Sequence, residues 1–270
     1  YAYITAPLCN KEEITNRQDQ VSFFYDRDSL RGQLRDILET VPDVERAVAR
    51  LSLRRGGPRD LGAIRTALSG IQTLNAHLQS LTDIPAPIHR LILSLRQSPD
   101  LQHLHDALSA ALSDDLPPLV QDGHFIRNGY DSALDAQRTL RDEGRRMIVA
   151  LQQKYASMTK NDALKITHNN ILGYYIEVTA KRGDDLFALP GTFIHRQTMA
   201  NAVRFTTTDL TSLERDLMQA GAKASAIETQ IFDDLCGQVL TLRPGLLDLA
   251  LSLATLDVMC GLAAAAHRYQ

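Results

Sequence analysis

Two heptad-patterned stretches enclose about forty-five residues whose hydrophobic period shortens to two, and this change of period constrains the chain more than any other feature. Downstream, Leu210, Leu213, Leu217, Ala220, Ala224, Ile227, Ile231 and Leu235 recur at steps of three and four, which lines them along one side of a long helix. Upstream, Ile148, Leu151, Tyr155 and Met158 keep the same rhythm; Leu134 and Leu140 continue it more weakly, broken by Arg141, Gly144 and Arg145. At 1.5 Å rise per residue, about twenty-five residues make an arm of roughly 35 to 40 Å, longer than the radius of a domain this size. A small sheet at the end of such a hairpin is expected to stand away from the body, and function is sought there.

Within the insert, Leu164 and Ile166 alternate with Lys165 and Thr167, and Tyr174, Ile176 and Val178 alternate with Tyr175, Glu177 and Thr179. The intervening 168–173 stretch, HNNILG, supplies residues that tolerate positive φ, so a hairpin is predicted. A second strand pair is predicted through Phe193 to Thr198 and Val203 to Thr206, with Asn201 near its turn. Thr207 or Thr208 can cap the following helix, and Asp209 suits its positive end. Of Tyr174 and Tyr175, one should face inward, so core packing is preferred to a stacking surface.

The rest of the chain reads as amphipathic helices separated by Pro and Gly. Lys11 to Tyr25 is one, and Leu30, Leu34, Ile37 and Leu38 form another that Pro42 closes. Val44, Val48 and Leu51 lead to Gly56-Gly57-Pro58, where a long helix through Ile64, Leu68, Ile71 and Leu78 begins, to be ended by Pro85 and Pro87. Further helices are predicted over Ile88 to Arg96 and Pro99 to Leu112, with an exposed connection at Pro117-Pro118. Arg243-Pro244-Gly245 precedes a final apolar helix.

The 270 residues are 44% hydrophobic and 23% charged, enough to build a core in one or two domains and unlike a fibrous or disordered chain. Cys9, Cys236 and Cys260 are far apart without CxxC spacing, which gives neither a disulfide framework nor a zinc module and fits a reducing cytosol. No apolar run is read as reaching the eighteen or so residues of a membrane span; Leu246 to Ala266 comes nearest but carries Asp248 and Asp257. Phosphate-loop, nucleophile-elbow, HExxH and EF-hand patterns are absent, and His103 and His105 point to different sides of a helix. No catalytic or metal-ligating residue is therefore assigned, and no cofactor is expected in this segment.

A net charge of -3 excludes a surface that is basic throughout. Around the insert, however, Lys154, Lys160, Lys165, Lys181, Arg182, Arg196 and Arg204 face Asp162, Glu177, Asp184 and Asp185, or 7 - 4 = +3. A solvated β surface accounts for that balance. Phosphate binding is the alternative, since Arg forks, Asn amides and turn N–H groups all donate to phosphate without reading base edges.

Residues 164–178 (LKITHNNILGYYIEV) and 194–205 (IHRQTMANAVRF) resemble the clamp region of the MutS family of DNA mismatch repair proteins. Agreement extends in order through 41–46 (VPDVER), 57–61 (GPRDL), 126–131 (IRNGYD) and 253–258 (LATLDV), and so covers nearly the whole chain. The resemblance implies a mainly α fold, a helical core with a long two-helix lever and a small inserted antiparallel β clamp. Its divisions are 1–158 for the core and first lever helix, 159–207 for the clamp, and 208–270 for the second lever helix and return to the core. It further implies a piece of a longer protein: a mismatch-reading domain with an intercalating Phe and a connector would precede Tyr1, and an ATPase domain using ATP and Mg would follow Gln270.

By the same resemblance the partners are double-stranded DNA, a second copy in a homodimer and a MutL-type protein, in the bacterial cytosol with the nucleoid and away from membranes. Asn169, Arg196 and Asn201 fall where relatives contact phosphates. His195 would contribute when protonated. Lys181, Arg182 and Arg204 would steer more weakly. Ala200 departs from the family, which commonly carries Lys before the second Asn. Neutralising about three phosphates predicts a slope near -2.7 in log affinity against log salt. The competing class is a helical protein-interaction scaffold without DNA contact, which apolar lever residues outside the seam would favour.

Overall fold

The computed structural model describes residues 6–79, 81, 84–169 and 171–269. The chain divides into two compact units, Tyr1–Tyr130 with Gln230–Gln270, and Asp131–Thr229.

In the first unit, helices α1 (Lys11–Tyr25), α2 (Asp28–Thr40), α3 (Val44–Ser52), α4 (Pro58–Gln79), α5 (Ala86–Ser94) and α6 (Pro99–Ala111) follow one another. The last helix, α10 (Arg243–Arg268), packs against α1, α2, α3 and α5. Their starts are written locally. Asn10, Asp43 and Ser98 each accept a backbone N–H from the first turn of the helix that follows, filling donors that have no partner inside the helix. Pro87 does not end α4 as the sequence reading expected. It lies in the first turn of α5, where its missing N–H is no loss, and α4 has already ended at Gln79.

Leu61, Ile64, Leu68, Ile71 and Leu74 of α4 are fully buried and form the centre of this unit. Arg31 of α2 is buried as well. Its guanidinium donates to the carbonyls of Phe24 (2.8 Å) and Tyr25 (3.1 Å) and pairs with Asp28, so it closes the end of α1. The final helix corrects the reading of that segment: it contains an eighteen-residue stretch of mean hydropathy 1.8, and Arg243–Arg268 is by length and composition apolar enough to cross a membrane. Leu246, Leu249, Leu253, Leu256 and Met259 on one of its faces are buried in the core.

The second unit is the helical hairpin and its insert. Helix α7 (Ser132–Thr159) and helix α9 (Thr208–Thr241) flank four strands: β1 (Lys165–Asn169), β2 (Gly173–Thr179), β3 (Ile194–Thr198) and β4 (Ala202–Thr206). A one-turn helix, α8 (Gly183–Phe187), joins the two strand pairs. The sheet is antiparallel throughout, in the order β1-β2-β4-β3. The fold is thus mainly α with a small β insert, as predicted.

None of the eight predicted seam residues of α9 is exposed. On α7 the seam differs from the prediction: Leu140 and Met158 are exposed, and Gly144 is buried. Gly144 does not interrupt the seam; it admits Leu217, whose Cδ2 lies 2.4 Å from where a Cβ would be. Arg138 occupies the seam as well, bonded at 2.5 Å to the buried carboxylate of Glu228 and lying 3.8 Å from Asp135.

Candidate nucleic-acid interface

One face of the sheet is a small core. Ile176 and Val178 of β2 and Val203 and Phe205 of β4 join Leu164, Leu186 and Phe193 over Tyr155 and Leu210 of the two long helices. The Tyr155 hydroxyl and Thr207 Oγ1 are 2.8 Å apart, and burial raises the phenol's pKa above its ordinary value. Thr207 Oγ1 also accepts the Leu210 N–H at 3.1 Å, so the anticipated cap forms at Thr207. These contacts fix the sheet on the ends of both helices.

Both tyrosines of β2 are covered. Tyr174 packs against the clamp core and meets the His168 ring edge-on at 4.8 Å, while Tyr175, on the opposite face, lies beneath the Arg204 guanidinium at 4.6 Å.

Register separates the residues that the family resemblance groups. Asn169 pairs with Gly173 at one end of the sheet, whereas Thr179 pairs with Ala202 beside Asn201 at the other. The six residue steps along β2 from Gly173 to Thr179 amount to about 20 Å. Asn169 is also occupied: its Oδ1 accepts the N–H groups of Ile171 (2.9 Å) and Leu172 (2.7 Å), which leaves only its amide NH₂ to donate outward. That end of the sheet lies against α9, where Glu214 accepts the Tyr174 N–H at 3.1 Å. Gly173 has φ +69°, and a Cβ there would fall 1.8 Å from a Glu214 oxygen.

The Asn201 end gathers the other candidates. The Ala180 N–H donates to the Asn201 carbonyl at 3.2 Å, which sets the 3₁₀ turn Ala180–Arg182, with Lys181 and Arg182, beside the β3–β4 turn. The Asn201 side chain is exposed and has no partner among the described residues. Lys165, the first residue of β1, opens towards the same end, opposite Glu177.

Arg196 sits on β3, an outer strand exposed along its whole length. His195 lies opposite Phe205 and Gln197 opposite Arg204, so Arg196 is the extra residue of a bulge. Its guanidinium has no hydrogen bond or ion pair among the described residues. His195 is less free, with Nε2 at 2.9 Å from Thr198 Oγ1 and its ring against Phe187 and Phe205.

Ion pairing sorts the basic residues further. Arg204 donates to Glu177 (3.0 Å) and Gln197 (3.0 Å), Arg182 pairs with Asp185 (3.2 Å), and Lys154 pairs with Asp209 (3.4 Å). Lys160, Lys165, Lys181 and Arg196 have no ion pair among the described residues. Register alone reveals Lys165 as a candidate, since composition cannot separate it from its basic neighbours.

Residues 2–263 match the family model described as MutS domain III. The chain belongs to the MutS domain III family. Among its relatives are proteins named DNA mismatch repair protein MutS from Rhodopseudomonas palustris strain BisB5 (44% identical over 262 residues), Roseobacter denitrificans (43% over 268) and Nitrobacter hamburgensis (42% over 262). These alignments cover 96 to 97% of this MutS domain III chain and 28 to 30% of the relatives, so it spans less than a third of their length.

Proposed function

We propose that this MutS domain III chain binds the backbone of duplex DNA through its β clamp, without regard to sequence, and that its two long helices act as the lever that carries the clamp. The observation that carries the reading is Arg196, an unpaired guanidinium held on a bulge of an exposed outer strand. Lys181, Lys165 and Asn201 supply further donors at the Asn201 end of the sheet. Asn169 offers an amide at the opposite end. Arg204 and Arg182 are neutralised by neighbouring carboxylates and contribute less than their charge suggests. Contacts of this kind position a duplex and leave base edges unread.

Under this reading the chain serves a longer mismatch repair protein of the bacterial cytosol, in which mismatch discrimination, ATP and Mg binding, pairing with a second copy and engagement of a MutL-type partner involve parts beyond this domain. Titration with matched and mismatched duplexes of one length at several salt concentrations tests it. Equal, salt-sensitive binding is expected; a preference for the mismatch, or affinity independent of salt, refutes it.

A protein-binding role for the lever has its own support. Leu140, Met147 and Met218 are 51%, 57% and 69% exposed on the two long helices. Leu140 and Met147 line a groove of about 260 Å³ floored by Gly144, Leu213 and Leu217. Leu140→Lys with Met147→Lys separates the roles: loss of a protein partner with unchanged DNA binding favours the lever surface, and loss of DNA binding alone argues against it.

A further inference from the structure

We propose that a groove in the first unit, between α2 and α10, is the docking site for a basic amphipathic helix of a partner protein. The groove encloses about 760 Å³. Leu38, Val41 and Leu253 supply apolar surface within it. Its walls are low where a helix would need to come close: Gly32 lies on α2, and Ala250 and Ala254 stand one turn apart on α10. Nothing lies within 4 Å of where a Gly32 Cβ would be, so no group among the described residues requires a glycine in the middle of this helix. Glycine weakens a helix interior, and open space beside it leaves room for a visiting backbone.

Charge identifies the visitor. Asp36, Glu39, Asp43, Glu45 and Asp257 line the groove against one cation among the described residues, Arg35. Asp43 is occupied as the cap of α3, while Asp36, Glu39, Glu45 and Asp257 have no ion pair among the described residues. Among the described residues no three acidic, histidine or cysteine side chains converge as metal ligands. Asp36 and Glu39 lie about one turn apart on α2, Glu45 in the first turn of α3 and Asp257 on α10, so the carboxylates are spread over three elements of the groove, and their complement is a row of cations above an apolar stripe. Lys and Arg on one face of a helix, with Leu or Ile on the other, provide that pattern. A nucleic acid is repelled by the same carboxylates, which distinguishes this surface from the clamp.

The probe is a Lys/Leu amphipathic helical peptide of about eighteen residues, or five turns, with a Glu/Leu peptide of the same pattern as control. Both are titrated against the 270-residue chain. The Lys/Leu peptide is expected to bind and the Glu/Leu peptide not to. A Cβ at position 32 meets no described neighbour, and Gly32→Leu replaces a poor helix former while adding bulk at the groove wall, so it should block the groove while keeping or raising the melting temperature. It should weaken the Lys/Leu peptide about tenfold or more, as should the charge-reversed pair Asp36→Lys with Glu39→Lys. Equal binding of the two peptides, undiminished binding by Gly32→Leu, or no binding of the Lys/Leu peptide overturns the proposal. A charge reversal that weakens binding while Gly32→Leu does not would reveal general attraction to acidic surface and would also overturn it.

Discussion

Replacing Arg196 by Gln removes the one arginine of the clamp that is both exposed and unpaired, whereas replacing Arg204 by Gln removes one already matched to Glu177 and Gln197. If Arg196, Lys181 and Lys165 each neutralise one phosphate, log affinity falls against log salt with a slope of about -2.7, close to -0.9 for each contact. Lowering salt sixfold, from about 150 to about 25 mM, then tightens binding about 100-fold, from a dissociation constant on the order of 10⁻⁴ M to about 10⁻⁶ M. Arg196→Gln should reduce the slope to about -1.8, so the same dilution gains only about 25-fold. The variant is therefore most distinguishable at low salt. Arg204→Gln should leave the slope near -2.7, with slightly weaker binding because Glu177 is uncovered. Fluorescence anisotropy with a labelled random-sequence duplex, repeated at four or so salt concentrations, measures all three slopes. A reduced slope for Arg204→Gln with none for Arg196→Gln would show that ion pairing in the free clamp does not decide which cations reach phosphate, and the reasoning would fail.

Gly173→Ala must adopt φ +69° and displace the Glu214 carboxylate, and thermal denaturation should show a loss of about 2 to 3 kcal/mol from left-handed strain and a broken charged hydrogen bond. Adding Glu214→Ala should not restore stability, because the strain remains. Glu228→Ala removes the carboxylate that lies closest to Arg138 in the seam, for a loss of about 3 kcal/mol in urea denaturation, while Arg138→Met with Glu228→Leu should lie near the parent; a milder single than double variant would contradict this. The raised pKa of Tyr155 means that the folded state holds its proton more tightly than the unfolded chain, so this contribution is complete below about pH 10 and is lost as pH rises through the folded value. Tyr155→Phe should flatten the alkaline limb of the stability profile. Burial pushes the Cys236 and Cys260 thiols up to about 12, so a thiol-specific reagent at neutral pH should label exposed Cys9 rapidly, half-buried Cys236 slowly and buried Cys260 only in denaturant.

Hydrophobic period, punctuated by Pro, Gly and Asn, determined the succession of helices, the switch to strands between Lys165 and Thr206, and the inward-facing line of α9, because burial on one face leaves a repeat that can be counted. The cap at Thr207 was legible too, since it acts within three residues of itself. What escaped that reading depends on groups brought together from distant positions. Gly144 resembled a break until Leu217, seventy-three residues later, filled the space beside it, and no local pattern joins Arg138 to Glu228, ninety residues away. The clamp follows the same division. The strings 168–173 and 194–205 indicated which segment could hold phosphate, but strand order decided that Asn169 and Asn201 lie at opposite ends of the sheet. Pairing across β2 and β4 decided that Arg204 is spoken for while Arg196 is not. A sequence records how many charges a segment carries; whether each one meets water or an opposite charge is a matter of distance, and only the folded chain sets distances between residues far apart in order.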